Sequence, residues 1–178
     1  MKSLLLTIIG LFYFMTANAQ DLSNTLYLEL KDGRVIIEMQ PNLAPQHVAR
    51  IKELVGQKFY DGLKFHRVIE GFMVQTGDPL GNGTGGSGKN IPAEFNDAPH
   101  MRGTVSMARA QDVNSADSQF FICLEDARFL DGQYTVWGQV TQGMEIVDKI
   151  KKGNSNDNGT VTNPDVIISL RLASDMNK

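Results

Sequence analysis

The sequence predicts a mainly β domain: an antiparallel sheet, closed or nearly closed on itself, with two helices over its open ends. Three observations carry this. An alternating apolar pattern near the start doubles back through a tight turn. Many short apolar segments follow, separated by glycine-bearing turns. Only two stretches show the three-to-four-residue spacing of an amphipathic helix.

Taken in order, Thr25 to Lys31 alternates, with Leu26, Leu28 and Leu30 on one face and Tyr27 and Glu29 on the other. Asp32-Gly33 is a two-residue hairpin signal, and Arg34 to Gln40 returns with Val35, Ile37 and Met39 on one face. Pro45 to Val55 is a predicted helix. Proline suits its first position, Val48, Ile51, Leu54 and Val55 form its stripe, and Gly56 is placed to end it. Strands are expected at Lys64–Ile69, Phe72–Thr76, Gly103–Met107, Gln119–Cys123, Thr135–Thr141 and Val166–Leu172. A second helix is expected from Met144 to Lys151, with Met144, Val147 and Ile150 as its stripe, lysines in its last turn and Gly153 to close it. Asn154 to Asn163 is the most polar stretch and is expected to be an exposed loop.

The first nineteen residues stand apart from this pattern. Lys2 supplies a positive charge, Leu4 to Met15 is a short apolar run, and Ala17-Asn18-Ala19 is a small-x-small cleavage site before Gln20. The run is short for a membrane span, so residues 1–19 are expected to be a removed signal peptide and residues 20–178 one domain. A periplasmic location, without membrane attachment after cleavage, is the corresponding expectation. The 178 residues are enough for a sizeable core, and 42% hydrophobic with 21% charged residues is globular composition. The formal charge is -3 and no basic block stands out, which argues against nucleic acid as a partner. The single cysteine, Cys123, lies between Ile122 and Leu124 and is expected to be buried and inert. No C-x-x-C pair or Cys/His cluster is available for redox or zinc chemistry.

Several motifs invite chemistry. The loop Gly81 to Asn90 matches G-x-G-x-x-G through Gly81, Gly83 and Gly86, and nearly matches a phosphate loop through Gly83, Gly88 and Lys89. Both patterns need a helix to follow. Ile91-Pro92-Ala93-Glu94-Phe95 carries no helical stripe, and Asn90 stands where Ser or Thr is required. The loop therefore reads as a tight structural turn whose glycines take positive φ. His47 is expected on the solvated face of the first helix. His66, on a strand, is expected to be a structural, hydrogen-bonded residue, since no catalytic partner is evident. Arg67 is different: it is a fixed cation a few residues from Phe72 and Met73, with a second aromatic block, Ser118-Gln119-Phe120-Phe121-Ile122, farther on. A cation beside an apolar pocket can hold a carbonyl oxygen while gripping a hydrophobic ring.

The run Phe65-His66-Arg67-Val68-Ile69-Glu70-Gly71-Phe72-Met73-Val74-Gln75-Thr76-Gly77-Asp78 resembles the signature of the cyclophilin family of peptidyl-prolyl cis-trans isomerases. Gly83-Thr84-Gly85-Gly86, Gly103-Thr104-Val105-Ser106-Met107-Ala108, the Ser118–Ile122 block, Phe129-Leu130-Asp131-Gly132 and Val136-Trp137-Gly138 agree in order. The resemblance covers roughly Thr25 to Leu172. It implies a closed eight-stranded antiparallel β-barrel capped by two α-helices, and rotation about Xaa-Pro bonds in peptides and folding proteins. It also implies no cofactor, no metal and a monomer.

By that resemblance Arg67 stabilises the twisted amide, and Phe72, Met73, Phe121 and Leu130 line the proline seat. Gln75 and Gln119 orient substrate and Arg67. Ala108 and Arg109 run beside the peptide and offer main-chain groups. The glycine loop borders a neighbouring pocket. Two positions depart from the best-known eukaryotic pattern: Phe129 stands where that pattern has Trp, and Tyr134 where it has His. Both departures resemble bacterial members. Phenylalanine lacks the indole N–H donor. Cyclosporin, a cyclic-peptide inhibitor of the family, is therefore expected to bind weakly; a tight dissociation constant in titration calorimetry would contradict this.

Overall fold

The structure, a computed structural model, describes residues 21–176. The expected signal peptide lies outside the described residues. The chain runs β1 (Thr25–Leu30), β2 (Gly33–Met39), α1 (Pro45–Gly56), β3 (Arg67–Ile69), β4 (Met73–Thr76), β5 (Thr104–Met107), β6 (Phe120–Cys123), β7 (Val136–Gln142), α2 (Met144–Val147) and β8 (Ser169–Leu172). The eight strands form one antiparallel sheet in the order β3-β4-β6-β5-β7-β2-β1-β8.

The first hairpin sits one residue earlier than the sequence suggests. Leu30 pairs with Gly33, so Lys31-Asp32 make the turn, and Gly33 takes φ 134 directly after it. Helix α1 keeps Gly56 inside. The residue that ends it is Lys58, at φ 58, while the Phe59 N–H reaches back 3.0 Å to the Leu54 carbonyl. Helix α2 is a single turn rather than the expected two. Lys149 and Ile150 donate to carbonyls three residues back, and the Lys151 N–H is drawn off at 2.9 Å by the Asp165 carboxylate. Gly153 does not close the helix; its N–H bonds to Val68 of β3 at 2.9 Å.

The expected closed barrel is also corrected. The sheet is a curled, open one whose edge strands, β3 and β8, share no ladder. The outer edge of β3 is already occupied. Val68 N–H donates to Gly159 O at 2.8 Å, and Val161 N–H donates to His66 O at 3.1 Å. The segment before β3 instead meets the segment before β8 through Gly62 N–H to Ile167 O at 2.8 Å, Ile167 N–H to Leu63 O at 2.9 Å and Phe65 N–H to Asp165 O at 2.9 Å.

Strand alternation divides the apolar side chains between two cores. Leu26, Leu28, Val35, Ile37, Val74, Phe120, Ile122 and Trp137 fill the main one, where the α1 stripe also packs. Met73, Phe121, Cys123, Ala127 and Leu130 form a smaller cluster on the other face of β4 and β6. Cys123 is fully buried, and burial pushes its thiol up to about 12, so it stays protonated and inert.

His47 corrects its expectation. It is buried, not solvated, because Glu94 folds over the start of α1 and takes its Nδ1 at 2.7 Å. The same carboxylate accepts from the Gln46 and His47 N–H groups at 3.1 and 3.0 Å, satisfying donors that helix geometry leaves open. His100 is likewise buried, between Asp131 (Nδ1 to Oδ1, 3.1 Å) and Ser106 (Nε2 to Oγ, 3.1 Å). Asp131 is held down to about 2, first by the His100 N–H and then by Arg128.

Burial lowers His47, His66 and His100 from the ordinary histidine value of 6.5, because it disfavours the cation. The unfolded chain therefore takes up protons near pH 6.5 that the folded chain does not. Stability is full above that value and is lost as pH falls through it. Urea unfolding is expected to show a lower midpoint at about pH 5.5 than at about pH 7.5; an equal or higher midpoint at the lower pH would contradict this.

Candidate functional site

The site begins with the pleat. On β3, Val68 turns into the main core, while Arg67 and Ile69 face the opposite way. Register then aligns a single row across four strands. Arg67 pairs with Gln75 of β4, Gln75 with Phe121 of β6, and Phe121 with Ser106 of β5. A neighbouring row runs Ile69, Met73, Cys123. One row therefore brings the cation, the amide and the aromatic ring side by side, and the next supplies the apolar floor.

Arg67, Gln75, Phe121 and Met73 of these rows line a cleft of about 600 Å³. Every residue singled out from the sequence lies on it except Gln119: Arg67, Phe72, Met73, Gln75, Ala108, Arg109, Phe121, Phe129, Leu130 and Tyr134. Gln119 lines a neighbouring pocket of about 240 Å³ with Gly83 to Gly86. The two spaces share Gln75, Gly83, Ala108 and Arg109.

Met73, Phe121 and Leu130 are buried and preformed. Phe121 is held from both sides: Tyr134 meets it edge-on at 5.8 Å between centroids, and His100 stacks behind it at 6.1 Å. Phe72 and Phe129 form the outer lip, 5.4 Å apart and tilted, with Phe129 67% exposed.

Arg67 is half-buried and tethered by three hydrogen bonds. Its Nη1 donates to Gln75 Oε1 at 3.1 Å, its Nε to the Asn158 backbone oxygen at 3.0 Å, and its Nη2 to Asn158 Oδ1 at 2.9 Å. Burial lowers the guanidinium from its ordinary value, with Tyr134 opposing, yet an arginine stays charged at any relevant pH. The tether continues. Gln75 Nε2 donates to Gln119 Oε1 at 2.9 Å, and Gln119 Nε2 donates to the Gly83 and Gly85 carbonyls at 3.1 and 2.8 Å. Gln119 thus acts at one remove, linking the Arg67–Gln75 pair to the glycine loop.

That loop is shaped by two carboxylates. Asp78 accepts from the Leu80, Asn82 and Gly83 N–H groups. Burial works against its charge, but these donors together hold it below the usual aspartate value. Asp117 accepts from Ser87 Oγ and from the Gly88 and Lys89 N–H groups. Gly81, Gly83 and Gly88 take positive φ as the composition requires. Gly85 and Gly86 are needed for a different reason: a Cβ there would collide with the Asp78 and Asp117 carboxylates.

Three lining residues sit in surroundings that the sequence did not show. Ala108 lies beside the cleft, but its N–H already donates to Gln119 O at 3.0 Å and is not offered to a ligand. Arg109 folds back, its guanidinium 4.8 Å above the Tyr134 ring and bonded to the carbonyls of Ala110, Gln111 and Gln133. His66 lines the cleft with no side-chain partner at either ring nitrogen; the Lys64 backbone lies near enough to favour its protonated form. Sequence reasoning also missed Asn158, Thr160 and Val161, which close the cleft beside Arg67. The one available signal was the Asn158-Gly159 pair, a dipeptide suited to left-handed turns. Among the described residues no group of three or more His, Cys, Asp or Glu is placed to hold a metal ion, and no helix is long and apolar enough to cross a membrane.

Comparison with known proteins gives a consistent answer. The family model described as cyclophilin type peptidyl-prolyl cis-trans isomerase/CLD matches residues 25–172. A probable peptidyl-prolyl cis-trans isomerase of Brucella suis is 55% identical over 172 residues, covering 90% of this chain and 88% of its own. A peptidyl-prolyl cis-trans isomerase of Synechococcus elongatus is 43% identical over 150 residues, covering 83% and 95%. Among solved structures, a cyclophilin from Hirschia baltica has a TM-score of 0.78 at 29% identity, covering 87% of this chain and 76% of its own. A Cryptosporidium parvum cyclophilin type isomerase, solved in the presence of the dipeptide Ala-Pro, has a TM-score of 0.77 at 26% identity, covering 83% and 98%.

Proposed function

The chain belongs to the cyclophilin-type peptidyl-prolyl cis-trans isomerase family, and we propose that its isomerase activity on Xaa-Pro bonds runs through Arg67 over a seat made by Phe72, Met73, Phe121 and Leu130. The observation that carries this is the register row Arg67–Gln75–Phe121, which sets an oriented cation beside a buried apolar floor.

The chemistry needs no nucleophile. Rotation about a peptide bond faces a barrier of about 18–20 kcal/mol because the C–N bond has double-bond character. Unassisted Xaa-Pro isomerisation takes roughly tens to hundreds of seconds. In the twisted state conjugation is lost and the proline nitrogen becomes basic. A guanidinium that donates to that nitrogen, or to the adjacent carbonyl, stabilises the twisted state more than either planar one. The ring stays seated in the apolar floor while the bond turns. Phe129 and Tyr134 wall the opening. Arg109, folded onto Tyr134, and Ala108 form the flank, and Gln75 and Gln119 hold the geometry.

The substrates are proline-containing segments of peptides and of folding proteins. The dipeptide in the Cryptosporidium parvum structure supports this class. The protein works as a monomer without cofactor, in the periplasm, after removal of residues 1–19. Lys2, the apolar Leu4–Met15 run and the Ala17-Asn18-Ala19 site support export. Cell fractionation that finds the protein only in the cytoplasm would overturn the location.

Exchange NMR on a proline peptide tests the mechanism. The wild type is expected to accelerate exchange, and Arg67→Ala to lower the rate on the order of a hundredfold with an unchanged thermal midpoint. An unchanged rate would remove Arg67 from its role. Peptide binding by the wild type without accelerated exchange would mark a binding module instead.

A further inference from the structure

Arg67 is set apart from most arginines of this protein by what it does not touch. Arg34, Arg50, Arg102, Arg128 and Arg171 each pair with a carboxylate. Arg67 is held by three neutral oxygens: Gln75 Oε1, Asn158 O and Asn158 Oδ1. Two of these come from Asn158. We infer that Asn158 is the positioning residue of the site, and that its neutrality is the property that matters: it aims the guanidinium without cancelling its charge. This rests on the assignment of Arg67 above.

The turn that presents Asn158 is fixed independently of Arg67. Asn158 follows the 3₁₀ turn Ser155–Asp157 and takes φ 47 and ψ 31, a left-handed conformation that asparagine tolerates better than most residues. Asn154 frames the turn: its Oδ1 accepts from the Asn156 N–H and its carbonyl from the Gly159 N–H, both at 2.9 Å. Gly159 is buried at φ 80 against β3. A Cβ there would lie 2.5 Å from Ile69 Cγ1 and 3.0 Å from Val68 O. With Val68 N–H bonded to Gly159 O, the turn is fastened to the strand that carries Arg67. The oxygens of Asn158 are therefore placed before any ligand arrives.

The three tethers use three of the five guanidinium donors and leave two for a substrate. A carboxylate in place of the Asn158 side-chain amide would accept the Nη2 N–H more strongly and place a full negative charge beside the guanidinium. The developing lone pair of a twisted amide carries only partial charge, so such a pair would take most of the field that the reaction uses.

Asn158→Asp and Asn158→Gly test this. Aspartate keeps the shape and the left-handed tolerance but adds charge. Glycine removes Oδ1 without backbone strain and leaves the main-chain acceptor. Rates and peptide affinities are measured for both, with wild type and Arg67→Ala alongside. For Asn158→Gly, kcat is expected to fall about threefold to tenfold at unchanged KM, the net effect of one solvent-exposed hydrogen bond. For Asn158→Asp, kcat is expected to fall about tenfold further, with peptide affinity again unchanged. A merely structural role predicts the reverse order, because aspartate conserves every contact. Asn158→Asp as active as Asn158→Gly, or more so, overturns the neutrality claim. Wild-type kcat in Asn158→Gly, or a change confined to KM, overturns the positioning claim. Should Arg67→Ala match the wild type, it is the catalytic assignment that fails, and this inference falls with it.

Discussion

Everything at this site depends on one constraint: the antiparallel register that puts Arg67, Gln75, Phe121 and Ser106 in a single row. Side chains alternate faces along a strand, so a slip of one residue would send Arg67 into the main core and Val68 to the cleft. The row is pinned at several points. Val68, Val74, Phe120 and Ile122 are buried in the main core and resist a slip in β3, β4 and β6. At the end of the β4–β6 pair, Gly77 comes so close to Ser118 that a Cβ there would overlap the Ser118 carbonyl. The Ser118 hydroxyl donates to Gly77 O at 2.7 Å, and Tyr60 donates to Ser118 O at 3.1 Å. The packing that stabilises the domain is thus the same packing that aims the site.

Polar groups extend the row outward. From Asn158 through Arg67, Gln75 and Gln119 to the glycine loop, each contact is a hydrogen bond between a neutral acceptor and a donor. Carboxylates are kept to the loop backbone, where Asp78 and Asp117 collect N–H groups that a tight glycine turn would otherwise leave bare. Negative charge is used to shape the wall, and positive charge is left unspent at the centre.

Much of this was legible in the sequence. The apolar floor of the cleft was readable because its members sit in short apolar blocks whose spacing survives folding, as Phe72-Met73, Phe120-Phe121 and Phe129-Leu130 do. What escaped depends on contacts between distant segments. His47 lies off the apolar stripe of α1, and only the arrival of Glu94 over the helix start buries it. Asn158 sits in the most polar stretch of the chain and looked like solvated loop. Its role arises because Gly159 and Val161 take the free edge of β3, ninety residues upstream. The closed barrel failed for the same reason: that edge was already occupied. Local periodicity says nothing about which segment will claim an unpaired strand edge.

The two aromatic rings of the lip differ in what the fold asks of them. Phe72 packs on the second core, whereas Phe129 presents most of its surface to water from a three-residue turn. A ring so placed adds little to stability, so its replacement is nearly free for the folded state while altering what first meets an incoming peptide. Position 129 is therefore the part of the cleft's rim that can change without compensating changes in the core, and where a library of variants should begin.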